Sequence, residues 1–332
     1  MAKKKKKGGN AFKKELPEKF VERLSAIFGV SRFREIEKTF TTRPTTFRVN
    51  TLKSTASEVL SELSQQGFKV QKVMWLANAY ILLNKSKREL TDTRLYTDGK
   101  IYIQSLASMV PPIILDPQSG ERVLDLTAAP GSKTSQITAL MGQYGEVVAN
   151  DKNKVRFFKL KHNMELLGVA DEREGWKFTL RMEHGAGLSR EYENYFDKIL
   201  LDAPCSAEAR FDTSDPKSFG YWSERKIKEM AYTQRILIRA AWHMLKPGGT
   251  LVYSTCTFAP EENEIQIEKF VERTPDAEIV KAEILQLPAA PIAAQAKNIA
   301  IRQEIIKNAL RIMPNSQIEG FFVVKMRKKQ LE

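Results

Sequence analysis

From about residue 111 the chain alternates short apolar runs with amphipathic stretches, and this alternation restricts the fold more than any other feature. Arg122–Leu126, Gly145–Ala149, Phe196–Asp202 and Thr250–Ser254 read as strands bounded by turn residues. Thr134–Met141, Lys154–Leu167 and Glu224–Leu245 read as helices between them, with Lys246–Gly249 as a turn. Strands alternating with helices imply an α/β fold, a doubly wound, mostly parallel sheet with right-handed crossovers. Another strand-like run, Gly320–Lys325, closes the pattern, and Ala289–Ala300 reads as a surface loop or a weak helix. A larger domain is therefore expected over residues 111–330, opening at Pro111-Pro112. Ahead of it, Leu16-Pro17-Glu18 looks like a helix start. Thr46–Asn50 and Phe68–Val70 look like short strands, and Ser57–Gln66 like a helix stopped by Gly67. These predict a smaller α+β module over residues 11–110.

Charge separates the two parts. Residues 1–120 hold 22 Lys+Arg against 11 Asp+Glu, whereas residues 121–332 hold 31 against 29. Most of the net charge of +13 is thus N-terminal, as expected of a module that meets a polyanion, with nucleic acid as the favoured partner. Part of that excess is the run Lys3–Lys7 within residues 1–10, which reads as a disordered basic tail. Arg43, Arg48 and Lys53 form a candidate group for phosphate contacts. No run of ~18 apolar residues is present to cross a membrane, and the N-terminus lacks the apolar stretch of a secretory signal. Two cysteines make no disulfide framework, and three scattered histidines (His162, His184, His243) make no metal site. A cytoplasmic, metal-free monomer is expected.

In an open α/β sheet, ligands bind beyond the carboxyl ends of the strands. The first such end carries Asp125-Leu-Thr-Ala-Ala-Pro-Gly-Ser-Lys-Thr134, a loop of small residues running into a helix. It lacks the first glycine of a Walker A loop and is not GxGxxG, so a pyrophosphate cradle is absent. Asp151 ends the next strand, where an acid can hold ribose hydroxyls; the lesser reading is a cap on the helix that follows. Together these favour S-adenosylmethionine over NAD. The only two cysteines each follow a strand, in Asp202-Ala-Pro-Cys205 and Ser254-Thr-Cys-Thr257. A thiolate is a strong nucleophile, and a nearby cation such as Lys133 would lower its pKa. Trp75, Trp176 and Trp242 read as core or interface residues, whereas Trp222 could pack or stack on a base. His162 is expected to be solvated or phosphate-facing and His243 packed.

At these residues the chain resembles the Nop/Sun family of RNA cytosine-5 methyltransferases (Fmu-like, RsmB/RsmF-type). Phe47–Lys53 resembles the family's N-terminal signature, Tyr102–Met109 its lead-in helix and Thr127–Lys133 its cofactor loop. Asp202–Ser206 is similar to its substrate-base loop, followed at the family's spacing by Asp215-Pro216 and Trp222-Ser223. Lys246–Thr257 with Glu261-Glu-Asn-Glu264 resembles its catalytic block, and Arg311, Pro314 and Gly320-Phe-Phe322 its closing strand. The resemblance implies Cys256 as the nucleophile on carbon 6 of cytosine and Cys205 as the residue assisting release. Asp202 would contact the ring edge and the cofactor, and Lys133 would orient base or nucleophile. Thr127, Ala128, Ala129, Pro130, Gly131, Ser132 and Lys133 would hold the cofactor's methionine end, with Asp151 and His184 nearer its ribose. The RNA partner would present a flipped or single-stranded cytosine, in ribosomal RNA first and transfer RNA second, since no appended tRNA-binding domain is recognisable.

Departures from the pattern leave alternatives open. Cys205-Ser-Ala-Glu-Ala209 stands where Cys-Ser-Gly-Glu-Gly is usual, His184 where an Asp is usual, and Ser132 where a Gly is common. A non-catalytic RNA-binding or ribosome-assembly factor on a methyltransferase fold is the alternative from another class, and an NAD-dependent oxidoreductase a third. Within the methyltransferase reading, Pro204-Cys205 is a rival nucleophile, because DNA cytosine-5 methyltransferases use a Pro-Cys pair.

Overall fold

The computed structural model describes residues 15–330, apart from 285, 288, 291, 293, 294 and 297. The Lys3–Lys7 run lies outside the described residues. The chain opens with helices α1 (Glu18–Phe28) and α2 (Val30–Glu37), the first entered through Pro17. Strands β1 (Thr46–Val49), β2 (Val70–Lys72), β3 (Ala79–Leu82) and β4 (Ile101–Ile103) form an antiparallel sheet in the order β2-β3-β1-β4. Helices α3 (Ala56–Gln65), α4 (Lys87–Thr91) and α5 (Arg94–Thr97) accompany it. α3 and α4 start on reciprocal caps, Thr55 with Glu58 and Ser86 with Glu89, which satisfy the otherwise orphaned first-turn N–H groups. Phe47, Val59, Leu63 and Tyr80 bury against one another beneath this sheet.

Helix α6 (Leu106–Leu115) leads into the larger layer structure. In chain order it contains β5 (Arg122–Asp125), α7 (Ser132–Leu140), β6 (Gly145–Asn150), α8 (Lys154–Leu166), β7 (Trp176–Arg181), α9 (Gly185–Leu188) and β8 (Phe196–Asp202). Then follow α10 (Glu224–Met244), β9 (Leu245–Thr255), α11 (Glu264–Glu272) and β10 (Ala277–Val280). The short β11 (Ala289–Ala290), β12 (Gln295–Ala296) and β13 (Ile299–Ala300), then α12 (Gln303–Asn308), β14 (Leu310–Ile312) and β15 (Phe321–Lys328), complete it. The main sheet runs β11-β14-β15-β9-β8-β5-β6-β7, with β10 also on β15. From β9 to β7 every pairing is parallel, while β15 lies antiparallel to β9.

These strands are buried almost continuously, and successive residues join cores on opposite faces of the sheet. Leu124, Val148, Leu201, Tyr253 and Phe322 face the layer of α10, α11 and α12, whereas Val123, Val147, Leu200, Val252 and Val323 face α6 and α7. A sheet covered on both sides is what a parallel arrangement requires.

Several expectations are corrected locally. Lys246–Gly249 is a bulge within β9: the strand advances five residues from Leu245 to Thr250 while β8 advances two, from Phe196 to Lys198. Gly248, at φ +81°, takes up the excess. Pro111 and Pro112 lie inside α6, buried against the main sheet. Tyr102 sits in β4, and the helix after it begins at Leu106. Among the described residues of the segment 289–300 there are three two-residue strands and no helix. His243 is exposed, because α10 turns it away from the face that buries Trp242.

Arg43, Arg48 and Lys53 do not form a phosphate-binding group. Arg48 is buried in β1, where its guanidinium donates to Gln104 Oε1 at 3.0 Å, to the Ser132 carbonyl at 3.3 Å and to Ser135. Burial pulls its pKa down to about 10. Arg43 donates to the Thr39 carbonyl, and the Lys53 ammonium donates to the Leu166 carbonyl at 2.8 Å, at the end of α8. Two of these cations therefore join the small sheet to the large domain.

Candidate functional site

The loops following β5, β6, β7, β8 and β9 enclose a cavity of about 610 Å³ at the carboxyl end of the parallel strands. The two cysteines meet on its wall, with Cys205 Sγ 3.3 Å from Cys256 Sγ. β8 and β9 are adjacent and in register from Asp202↔Ser254, so residues placed just beyond each strand are necessarily neighbours. Cys256 is buried and Cys205 partly exposed. The S–H of Cys205 and the positive charge of Arg210 hold the Cys256 thiol below its ordinary pKa despite burial. Cys205 is pushed well above its own by the same contact and by burial. Arg210 responds in kind: the thiolate raises its pKa.

Asp202, the last residue of β8, accepts from Ser254 Oγ at 2.8 Å and from Lys133 Nζ at 2.6 Å. Lys133, one residue into α7, is buried and also donates to Ser108 Oγ at 2.8 Å. Asp202, Lys133 and both cysteines all line the one cavity. Of the expected cofactor-loop residues, Thr127, Ala128, Ala129, Pro130, Ser132 and Lys133 line it too. Gly131 instead turns the loop at φ +101°, and a Cβ there would meet Met164 Cε at 2.4 Å. Asp151 lines the cavity while accepting from Asn153 N at 2.9 Å and pairing with Arg156 at 3.3 Å, so it both faces the cavity and shapes the entry to α8. His184 also lines it and caps α9 through Nδ1. Neighbouring Glu183 is tied to Arg181. Trp222 does not reach the cavity: its indole N–H donates to Glu208 Oε1 at 2.8 Å and its ring lies edge-on to Phe20.

Buried carboxyls that the sequence reading left without a role support these loops. Glu262 accepts from Ser206 N at 3.0 Å, Ser206 Oγ at 2.5 Å and Gln234 Nε2 at 2.8 Å, pinning the turn after Cys205. Glu208 accepts from Thr257 Oγ1 and Phe258 N and so ties that turn to the segment after Cys256. Asn263 grips both sides of Cys256, accepting from Thr255 Oγ1 and donating to the Thr257 carbonyl. Burial raises Glu208 and pushes Glu262 up to about 8 and Asp125 to about 7. The signal available in sequence was the acidic run Glu261–Glu264, too hydrophilic for its burial unless it held something.

Two predictions arise here. Glu262 has a folded-state pKa above the ordinary 4.5, so its share of stability is complete below about pH 4.5 and lost as pH rises through 8. Denaturant titrations should show wild type losing up to about 5 kcal/mol across that window, and Glu262→Gln should remove this share of the slope. Ala207 sits at φ +56°, a left-handed conformation that suits glycine. Ala207→Gly should stabilise the protein by about 1 kcal/mol in the same assay.

A further cluster joins the N-terminal segment to the cysteine loops. Phe20, Leu24, Phe33 and Ile36 of the leading helices, with Phe40 just after them, bury against Ala209, Phe211, Phe219 and Phe258 of the cysteine loops. Arg23 pairs with Glu261 at 3.0 Å, and Thr213 N donates to the Phe40 carbonyl at 2.9 Å.

Comparison with known proteins bears on this site. Residues 112–327 match the family model described as 16S rRNA methyltransferase RsmB/F, and residues 16–106 that of the N-terminal domain of 16S rRNA methyltransferase RsmF. The chain is 37% identical over 286 residues to ribosomal RNA small subunit methyltransferase F of Cronobacter sakazakii, covering 85% of this chain and 56% of that protein. With the Escherichia coli protein of the same name it is 36% identical over 288 residues, covering 85% and 57%. The chain thus spans a little over half the length of these curated relatives. Among solved structures, a methyltransferase homolog protein from Pyrococcus horikoshii matches with a TM-score of 0.79 at 33% identity, covering 94% of this chain and 95% of that one. NSun6 from the same organism, solved with SFG, shares the fold at a TM-score of 0.79 and 24% identity, covering 95% and 99%.

Proposed function

The chain belongs to the 16S rRNA methyltransferase RsmB/F family, and from that premise we propose that it methylates carbon 5 of a cytosine in RNA, with Cys256 as nucleophile. Ribosomal RNA is the first expected substrate. The observation that carries the reading is the sulfur pair, 3.3 Å apart on a cavity wall shared with the Lys133–Asp202 ion pair.

S-adenosylmethionine is the cofactor, and when bound it supplies a methyl group on a sulfonium, an electrophile that unactivated cytosine carbon 5 does not attack. The residues present suit it. Asp125 Oδ1 is buried without a partner at the cavity wall, Asp151 offers a carboxylate at the second strand end, and the loop 127–133 presents small residues. Asp151 would hold the ribose hydroxyls, with His184 alongside.

The chain's own groups then do the following. Cys256 Sγ, as thiolate, bonds to carbon 6 and sends the 5,6 electron pair into the ring, making carbon 5 nucleophilic. Asp202, with its charge balanced by Lys133, hydrogen-bonds the ring edge and stabilises the protonated form that develops. After methyl transfer carbon 5 gives up its proton to a water molecule acting as base, the electron pair re-forms the 5,6 double bond, the carbon–sulfur bond breaks and Cys256 leaves as thiolate. The Cys205 S–H, with its sulfur 3.3 Å away, donates to that sulfur and stabilises its departure. The target base must leave its stack to reach a thiol this buried.

Incubation with methyl-labelled S-adenosylmethionine and small-subunit ribosomal RNA, followed by bisulfite sequencing, tests the proposal. Label retained as a protected cytosine is expected. Label on a sugar or another base would overturn the carbon 5 assignment, and no transfer at all would favour the non-catalytic RNA-binding alternative.

A further inference from the structure

A second basic feature lies on the large domain, where charge is otherwise nearly balanced. Helices α10 and α11 pack side by side, and between them is a groove of about 110 Å³ lined by Arg235, Arg239, Gln266, Lys269, Phe270 and Arg273. Arg235 and Arg239 are one turn apart on α10, and Lys269 on α11 lies one turn before Arg273, the residue that caps that helix. Like charges at this spacing repel along each helix, and facing the two pairs across one groove compounds the repulsion. None of the four heads, among the described residues, is within salt-bridge distance of a carboxylate. Nearby acids are engaged elsewhere or point away from the groove: Glu268 is held by Arg302 at 2.8 Å, Glu229 pairs with Arg225, and Glu272 does not line it. Four unneutralised cations converging on one depression make an anion site, and guanidinium forks match phosphate oxygens in pairs.

We propose that this groove binds the phosphodiester backbone of the RNA substrate, as a second grip beyond the catalytic cavity. The proposal rests on the RNA-methyltransferase reading. It is favoured over an acidic protein partner by where α10 runs. The same helix turns Thr233 and Leu237 to the cavity and Gln234 to Glu262, so the groove and the reacting base lie on two sides of one rigid element. A strand extending from the target cytosine needs only to pass around α10 to reach it.

The test measures affinity for full-length, in vitro transcribed small-subunit ribosomal RNA across a salt series. For R235E/R239E the slope of log affinity against log salt should be shallower than wild type by about 1.4–1.8, the share of two phosphate contacts. KM for RNA should rise, with kcat at saturating RNA and cofactor binding unchanged. R235K/R239K should keep the wild-type slope, because a point charge still meets a phosphate. An unchanged slope in R235E/R239E would overturn the proposal and leave a protein partner as the reading of the groove. Equal loss in the lysine variant would overturn it too, by showing that charge is not what matters. Failure of the parent reading registers separately, as absence of salt-dependent RNA binding or methyl transfer in the wild-type protein.

Discussion

Cys205→Ala should accumulate a covalent protein–RNA adduct visible as a shifted band under denaturing electrophoresis, whereas Cys256→Ala should form none. Both should lower turnover by about three orders of magnitude or more, as loss of a nucleophile or its obligate partner does. The reason is the division of labour between two sulfurs 3.3 Å apart. Cys256 is the lowered thiol, held by the Cys205 S–H and by Arg210, and is ready to attack. Cys205 is the raised one, a donor that assists the sulfur when it leaves. Without it, attack proceeds and release stalls. The single-turnover rate should also rise with pH and level off below the ordinary thiol range. An adduct in Cys256→Ala but not in Cys205→Ala would reverse the assignment.

The second large effect is structural. Arg311→Leu should cost about 3–5 kcal/mol in denaturant unfolding, because it strands a buried charge. Arg311, on β14, donates from Nε to Glu264 Oε1 at 3.1 Å, and both side chains are almost wholly buried. Its guanidinium also lies over the rings of Phe28 and Phe322. Glu264 opens α11 directly after Asn263, the residue that grips both sides of Cys256. Unfolding free energy is one readout. A thiol titration showing Cys256 moved back toward its ordinary value is the other, and an unchanged Cys256 would mean that the ion pair serves stability alone.

Four of the five parallel strands and the loops at their ends were legible in sequence because each is a short apolar run with a chemically distinctive loop after it; β7 was missed, because Trp176–Arg181 is a half-buried edge strand that mixes Lys, Thr and Arg with its apolar residues. The antiparallel members were harder. β10 and β14 are short, and β14 carries Arg311, which reads as a surface residue until Glu264 is seen beside it. Arg48 misled for the same reason: a lone arginine in a strand looks solvated, and its partners Gln104 and Ser135 lie 56 and 87 residues away. Cys205 and Cys256 could be brought together from topology alone, since they follow adjacent strands. What topology does not disclose is which sulfur ionises, because that depends on Arg210 and on which thiol donates. The α10–α11 groove was written in the sequence as two basic pairs at helical spacing, but nothing local says that they face one another.

The leading helices α1 and α2 seal the cysteine loops of the far domain while the small sheet that follows them keeps a core of its own. A chimera that grafts this catalytic half onto a foreign RNA-recruiting module would therefore have to bring those first helices along. Cut at the apparent domain seam, the transplanted half would expose the phenylalanines that anchor its reactive turn, and it should be prone to aggregation before it is ever inactive by chemistry.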